Sequence, residues 1–240
     1  MVRDSEAFTA PNKLIFTLYS VILGQPFITF LQVITSTAYL APIQYYAHLY
    51  AADHVIEDRG EHYVKQTFRN RCYIATPTGR QPLTLPITRN DASHTPTRDI
   101  RLSDHGNWQH LHWTALTSAY ESSPYFEYYA DDFRPFYEKR FEFLVDFNEA
   151  LLHTVMELLQ LDKEIIISNE YVATTGDKDL DLRSVISPKS NAIPDPTFIP
   201  EPYYQVFSSR IGGFLPNLSI VDLLFNMGPE SRIVLRKSIM

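Results

Sequence analysis

The stretch "TSTAYLAPIQYYAHLYAADHVIED", residues 35–58, limits the fold more than any other. "TSTAYLAP" reads as a strand that closes at Pro42. "IQYYAHLYAAD" reads as a short helix, because Ile43, Tyr46, Ala47, Tyr50 and Ala51 fall on one face at three- and four-residue spacing. "HVIED" reads as a second strand. A strand, a helix and a strand in succession predict a parallel pair joined by a crossover helix, the opening unit of an α/β fold.

The rest of the chain extends this start. Residues 64–87 predict a β-hairpin whose turn is "TPTGR", with Pro77 and Gly79. "RDIRLS" (98–103) predicts one more strand. Asn107 stands where it can cap a helix through Trp108, Leu111, Ala115 and Ala119. Ser123–Pro124 restarts a helix with an aromatic stripe of Phe126, Tyr129 and Phe133, which Pro135 is expected to interrupt. Asp146 and Glu149 have capping-box spacing ahead of Leu151, Leu152, Val155, Leu158 and Leu159. "EIIIS" (164–168) reads as a buried strand, residues 174–202 as a long proline-bearing loop, and "YYQVF" (203–207) as a last strand. Asn217 is placed to cap a closing helix, "LSIVDLLFN", that stops at Gly228. The expected architecture is a single α/β domain: a mixed β-sheet, a strand–helix–strand start, a β-hairpin, and covering helices from the middle of the chain.

Length and charge narrow the function classes. The 240 residues suit one large domain, or one domain with an appendage. A net charge of -7 argues against nonspecific nucleic-acid binding, which needs a broad cationic surface. It leaves room for a small anionic ligand in a local basic pocket. One cysteine permits no internal disulfide and no multi-thiolate metal site, and points to a reducing compartment, hence the cytoplasm. Residues 14–34 carry no charge and are long enough to span a bilayer, but Gly24, Pro26 and several polar residues keep their hydrophobicity moderate. Membrane contact is expected only if that run is a genuine anchor. The alternatives are a packed helix or an extension outside the domain.

"KQTFRNRCYI" (65–74) concentrates cations before the only cysteine. Taken as a strand, it puts Lys65, Thr67, Arg69, Arg71 and Tyr73 on one face, and Gln66, Phe68, Asn70, Cys72 and Ile74 on the other. The first face is a cationic ladder that can grip a phosphate or carboxylate. It can equally be spent on ion pairs with Glu57, Asp58 and Glu61. The second face packs the cysteine and makes it inert. His112 lies one turn beyond Trp108: a satisfied core histidine by default, a general base on the sharper reading. Asp177, Asp179 and Asp181 begin like a calcium loop, but Leu182 and Pro188 stand where Gly and Glu are needed, so this reads as a solvated acidic loop. No metal site is indicated. Asp222, between Val221 and Leu223, faces a buried environment and wants a cationic or donor partner, for which Lys65, Arg69 and Arg71 are candidates.

Three ordered blocks resemble the WbqC-like proteins of bacteria: "YLAPIQYYAHLYAADHVIEDRGEHYVKQTFRNRCYI", "WQHLHWTALTSAYESSPYFEYYADDF" with its Trp-x-x-x-His-Trp pattern, and "YYQVF…FLPNLSIVDLLFNMGP". The resemblance covers roughly residues 37–240 and leaves 1–36 as an N-terminal extension. It implies a role in O-antigen or surface-polysaccharide biosynthesis. The expected activity is on an anionic nucleotide-linked sugar, in the manner of acyl or aminoacyl transfer to an amino sugar. The family-like polar positions are Lys65, Arg69, Asn70, Arg71, His112, Tyr120, Gln205, Asn217, Ser219 and Asp222. On the enzyme reading, His112 and Asp222 are the catalytic candidates and the others bind the ligand. A non-catalytic binding or assembly protein of the same pathway is the alternative. No cofactor is named by either.

Overall fold

The strands Phe30–Ser36 (β1) and Ala52–Asp58 (β2) lie side by side in parallel, with Ile34 opposite Ile56 and Ser36 opposite Asp58. The helix between them, Ile43–Ala51 (α1), makes the crossover. The structure is a computed structural model and describes residues 30–88, 94–174, 179–190 and 192–239. The first strand starts earlier than the expected "TSTAYLAP". It takes in seven residues, 30–36, that the expected extension would have left outside the domain. The apolar run from Val33 to Ile34 is what the sheet buries, and both side chains are fully enclosed. Residues 14–29 of the uncharged run lie outside the described residues. Among the described residues, no helix is long and apolar enough to cross a membrane.

Two short strands complete the parallel sheet: Ile165–Ser168 (β5) beside β2, and Asp179–Asp181 (β6) beside β1. The order is β5-β2-β1-β6. The chain therefore steps outward from β1 in one direction and returns to its other side. Arg71–Thr76 (β3) and Gly79–Thr84 (β4) form the expected hairpin as a separate antiparallel sheet. Gly79, at φ +111°, closes its turn in a conformation that favours glycine. The fold is α/β, with parallel and antiparallel pairing divided between the two sheets.

Helix α1 is buried on nearly every side, because it packs on β1 and β2 beneath two C-terminal helices, Ile220–Met227 (α6) and Ser231–Lys237 (α7). That accounts for a helix so apolar and so short. The middle of the chain supplies Trp108–Tyr120 (α2), Phe126–Glu138 (α3) and Leu144–Leu158 (α4). Their aromatic rings meet those of α6: Phe225 lies 5.1 Å from Phe126 and 5.5 Å from Phe133, edge to face. Pro135 does not interrupt α3. Burial of Phe126, Ala130, Phe133 and Tyr137 carries the helix across the one backbone bond that proline removes.

Other expected elements differ, among them the strand at 165–168, which lies at the sheet edge and is partly exposed rather than buried. Residues 98–103 form a 3-10 turn, Thr97–Asp99, followed by isolated bridges from Arg101 and Leu102. "YYQVF" is not a strand and leads into the short helix Ser208–Ile211 (α5). Asp146 lies inside the first turn of α4 rather than at its cap, and Glu149 is turned to an ion pair instead.

Candidate functional site

The carboxyl ends of the parallel strands collect most of the buried charge. Strand β2 ends in Glu57 and Asp58 and runs on through Arg59, Gly60 and Glu61. Glu57 is fully buried and accepts a 2.7 Å hydrogen bond from Arg59 Nε. Arg59 also makes an ionic contact, 3.0 Å, with Glu149 on α4, without the alignment of a hydrogen bond. Burial pushes the Glu57 carboxyl above its ordinary range, and Arg59 offsets this only in part.

Asp58 is held by backbone amides, which pin the chain as it leaves the sheet. Its Oδ1 accepts from the N–H groups of Gly60 (2.9 Å) and Glu61 (3.0 Å), and its Oδ2 from that of Val172 (3.2 Å) and from Arg183. Arg183 also donates to Asp181, at 3.0 Å from Nε and 2.6 Å from Nη2, and to the Val172 carbonyl at 2.8 Å. Burial alone would raise the Asp181 carboxyl, but the Arg183 hydrogen bonds and charge outweigh it and hold it below the ordinary range. Asp181 is thus no part of a solvated acidic loop, and Asp179 belongs to β6; Asp177 lies outside the described residues. Gly60 is required by packing. A Cβ there would stand 2.2 Å from the Glu170 carbonyl carbon.

Between the ends of β1 and β6 there is a small recess lined by Thr35, Ser36, Thr37, Ala38, Tyr45, Phe68, Arg69, Leu182 and Ile186. Arg69 forms its charged wall. Its guanidinium grips Glu61 with two bonds, 2.8 and 2.6 Å, and donates to Ser36 Oγ at 2.7 Å. Thr35 Oγ1 lies 3.5 Å from Tyr45 Oη, and Thr37 Oγ1 is buried with no partner among the described residues.

The predicted residues divide among several places. Residues 65–70 are not a strand: bends and turns occupy them, and Gln66 sits at φ +59°. Alternation therefore fails, and there is no cationic ladder. Lys65 is exposed, Arg69 is buried against Glu61, and Arg71 starts β3 and donates to Thr84 Oγ1 at 3.0 Å. Asn70 Nδ2 donates to the Leu85 carbonyl (2.9 Å). Cys72 is buried, and burial raises its thiol pKa.

Tyr120, Gln205 and Asp222 do come together, in a second buried centre. Asp222 is fully enclosed. Its Oδ1 accepts from Tyr120 (2.8 Å), and its Oδ2 from Tyr203 (2.5 Å) and Gln205 (3.0 Å). None of the expected cations is its hydrogen-bond partner; neutral donors take their place. Burial raises the carboxyl pKa, and the three donors offset this only in part.

His112 is elsewhere again. Its Nδ1 is 3.0 Å from Tyr39 Oη, which is 2.9 Å from Tyr137 Oη. Burial lowers its pKa to about 4, so it is neutral near pH 7. Asn217 does not cap the closing helix: its amide exchanges hydrogen bonds with Gln44 of α1, at 2.9 and 3.1 Å. Ser219 occupies the N-cap position, but its hydroxyl donates to the Leu40 carbonyl at 2.7 Å. Both fasten α6 to the entry of α1.

Sequence reasoning missed Thr35, Ser36, Thr37 and Arg183 as site residues. Only strand order places them: in open α/β sheets, ligands bind outside the carboxyl ends of strands where that order reverses. Among the described residues, no group of three or more His, Cys, Asp or Glu side chains is arranged to hold a metal ion.

Comparison with known proteins adds two findings. The family model described as the WbqC-like protein family matches residues 37–192. The uncharacterized protein Rv1507c of Mycobacterium tuberculosis is 28% identical over 194 residues, which cover 72% of this chain and 84% of that protein. No solved structure matches the chain.

Proposed function

This chain belongs to the WbqC-like protein family, and from that membership we propose that it acts in the biosynthesis of a bacterial surface polysaccharide, taking a nucleotide-linked sugar at the carboxyl ends of β1 and β6. The supporting observation is the position of the recess. It opens where strand order reverses, between the end of β1 at Ser36 and the turn after β6 at Leu182. The buried Glu61–Arg69 pair holds one of its walls, through Arg69.

In this reading the work is done in the cytoplasm, and acyl or aminoacyl transfer to an amino sugar is the reaction class. Arg69 is the one ligand-binding candidate from the sequence that lines the recess. His112, Tyr120, Gln205 and Asp222 position the helices and the hairpin rather than react, because each is already engaged in the core. Lys65 and Arg71 remain outer contacts for the anionic part of the ligand.

A non-catalytic binding protein of the same pathway is the second reading. The scatter of Arg69, His112 and Asp222 over three separate places favours it.

Thermal denaturation of the full chain with nucleotide sugars, with and without acyl or aminoacyl donors, tests both. A ligand at a hundred times its dissociation constant adds about 2.7 kcal/mol of stability. For a chain of this size that is a rise in Tm on the order of 5–10 °C. A rise with a nucleotide sugar supports the site, and product formation after adding the donor separates enzyme from binder. No rise with any nucleotide sugar counts against both.

A further inference from the structure

We infer that His62 and His94 form a surface site for a divalent transition-metal ion of the zinc, copper or nickel kind. Neither residue lines the recess, so the site stands whatever ligand the chain takes.

Backbone pairing brings the two histidines together. Beyond β2 the chain runs out through residues 61–63, and residues 95–97 return beside it. Tyr63 N–H donates to the Thr95 carbonyl (3.0 Å), and Thr97 N–H to that of Glu61 (2.8 Å). His62 and Pro96 form an antiparallel bridge between them. Side chains alternate across such a pair, so His62 shares a face with Pro96 and, diagonally, with His94. Glu61, Tyr63 and Thr97 take the inner face and are buried. His62 and His94 take the outer face and are exposed.

The ring geometry is close to that of a chelate. The ring centres of His62 and His94 are 5.9 Å apart, with their planes inclined at 70°. A tetrahedral zinc ion, bonded at about 2.0–2.1 Å to one nitrogen of each ring, holds two such centres roughly 5 Å apart. A shift of about one ångström closes the difference, and exposed side chains change rotamer readily enough to make it.

Imidazole nitrogen selects the ion. It suits zinc, copper and nickel, whereas calcium and magnesium require oxygen ligands that this pair does not supply. Two imidazoles leave the remaining positions to water. No third His, Cys, Asp or Glu joins them among the described residues. Local charge does not oppose a cation. Arg98, on the same returning segment, donates to the Asn169 carbonyl and lies 3.8 Å from the carboxylates of Asp99 and Glu170.

An ion held here clips residues 94–97 to residues 61–63. Glu61, the inward neighbour of His62, grips Arg69 in the wall of the recess. The clip therefore stiffens the backbone that carries this ion pair without touching the pair itself.

Isothermal titration of the untagged full chain with zinc and nickel chlorides tests the site, with magnesium chloride as the control. Zinc and nickel should bind, and magnesium should not. His62→Gln and His94→Gln should each raise the dissociation constant more than about tenfold, since groups that merely support a metal ligand are already worth roughly 10–100-fold. Without metal both variants should melt within about 2 °C of the native chain, because the side chains are exposed. Copper(II) on the native chain should show coupling to two imidazole nitrogens in electron paramagnetic resonance. That spectrum needs no variant, so it decides even if a variant folds poorly. Absence of zinc and nickel binding, unchanged affinity in either variant, or copper coupled to fewer than two nitrogens overturns the inference. Unchanged affinity in both variants would move the ion to another histidine, such as His153 beside Glu149.

Discussion

Two of the places where the described residues bury carboxylates solve the problem differently. At the carboxyl ends of the sheet, Glu61 is matched by Arg69 and Asp58 by Arg183 and backbone amides. Under α6, Asp222 is matched by two tyrosines and a glutamine and no guanidinium. The first arrangement fixes charge beside a recess. The second fixes a helix against a hairpin, since Tyr120 Oη also accepts from the Ala75 N–H of β3 (3.1 Å). Burial of a carboxylate is therefore no sign of a reactive site. What distinguishes the first centre is its place in the strand order.

The largest effect is expected where a guanidinium is removed from its partner. Arg69→Met leaves Glu61 buried and alone, a loss of about 3–5 kcal/mol, or a Tm lower by on the order of 10 °C. Adding Glu61→Leu removes the stranded charge and should recover most of the loss in urea or thermal denaturation. Failure of the double variant to recover would mean that Arg69 stabilises through Ser36 rather than Glu61.

Arg69 also shows how far the chain could be read beforehand. The strand–helix–strand start, the hairpin and the central helices follow from spacing and turn residues, because each depends on neighbours in sequence. The failures came where distant contacts decide. Nothing in "KQTFRNRCYI" announces that Gln66 turns left-handed and ends the alternation. "YYQVF" has strand composition but spends Gln205 on Asp222 and Leu215 instead of a ladder. Thr35, Ser36 and Thr37 are unremarkable residues until β6 is known to lie beside β1. Asp222 was legible as a buried carboxylate in need of partners, but its neutral donors come from chain positions 120, 203 and 205.

A smaller effect is expected at the second centre. Asp222→Asn keeps the shape but presents a donor where an acceptor is needed, a cost of about 1–3 kcal/mol, read as a lower midpoint in urea. Near-UV circular dichroism should change with it, as one of Tyr120 and Tyr203 loses its acceptor. An unchanged midpoint would show that the two tyrosines find other acceptors and that the network is incidental.

Asp222 and Asp181, one carboxylate from each centre, should also respond to pH with opposite sign. The Asp222 carboxyl is raised by burial, so its contribution is fullest below the ordinary carboxylate pKa of about 4 and fades as pH rises through the raised value. The cost of Asp222→Asn should therefore shrink toward neutral pH. The Asp181 carboxyl is lowered by Arg183 against the effect of burial, so its contribution is present above the ordinary value and is lost as pH falls through the lowered one. The cost of Asp181→Asn should shrink toward acid. Urea denaturation of both variants and the native chain, from about pH 3 to pH 8, measures the two slopes. Slopes of the same sign would mean that the contrast between neutral and cationic partners does not govern these carboxylates.

The smallest effect is expected at Lys65 and Arg71, and it is informative because they share a segment with Arg69. Lys65 is exposed, and Arg71 donates a side-chain hydrogen bond to Thr84 at the hairpin surface. Surface substitutions of this kind move stability little, so Lys65→Ala and Arg71→Ala should each shift Tm by no more than about 2 °C. If they bind the anionic part of the ligand, each should weaken nucleotide-sugar binding further as salt is lowered, because exposed charges are screened only weakly there. A Tm loss in Arg71→Ala comparable to that in Arg69→Met would put the two arginines back into one cooperative cluster. Equal ligand affinity at low and high salt would remove Lys65 and Arg71 from the site and leave Arg69 as its one cation from this stretch.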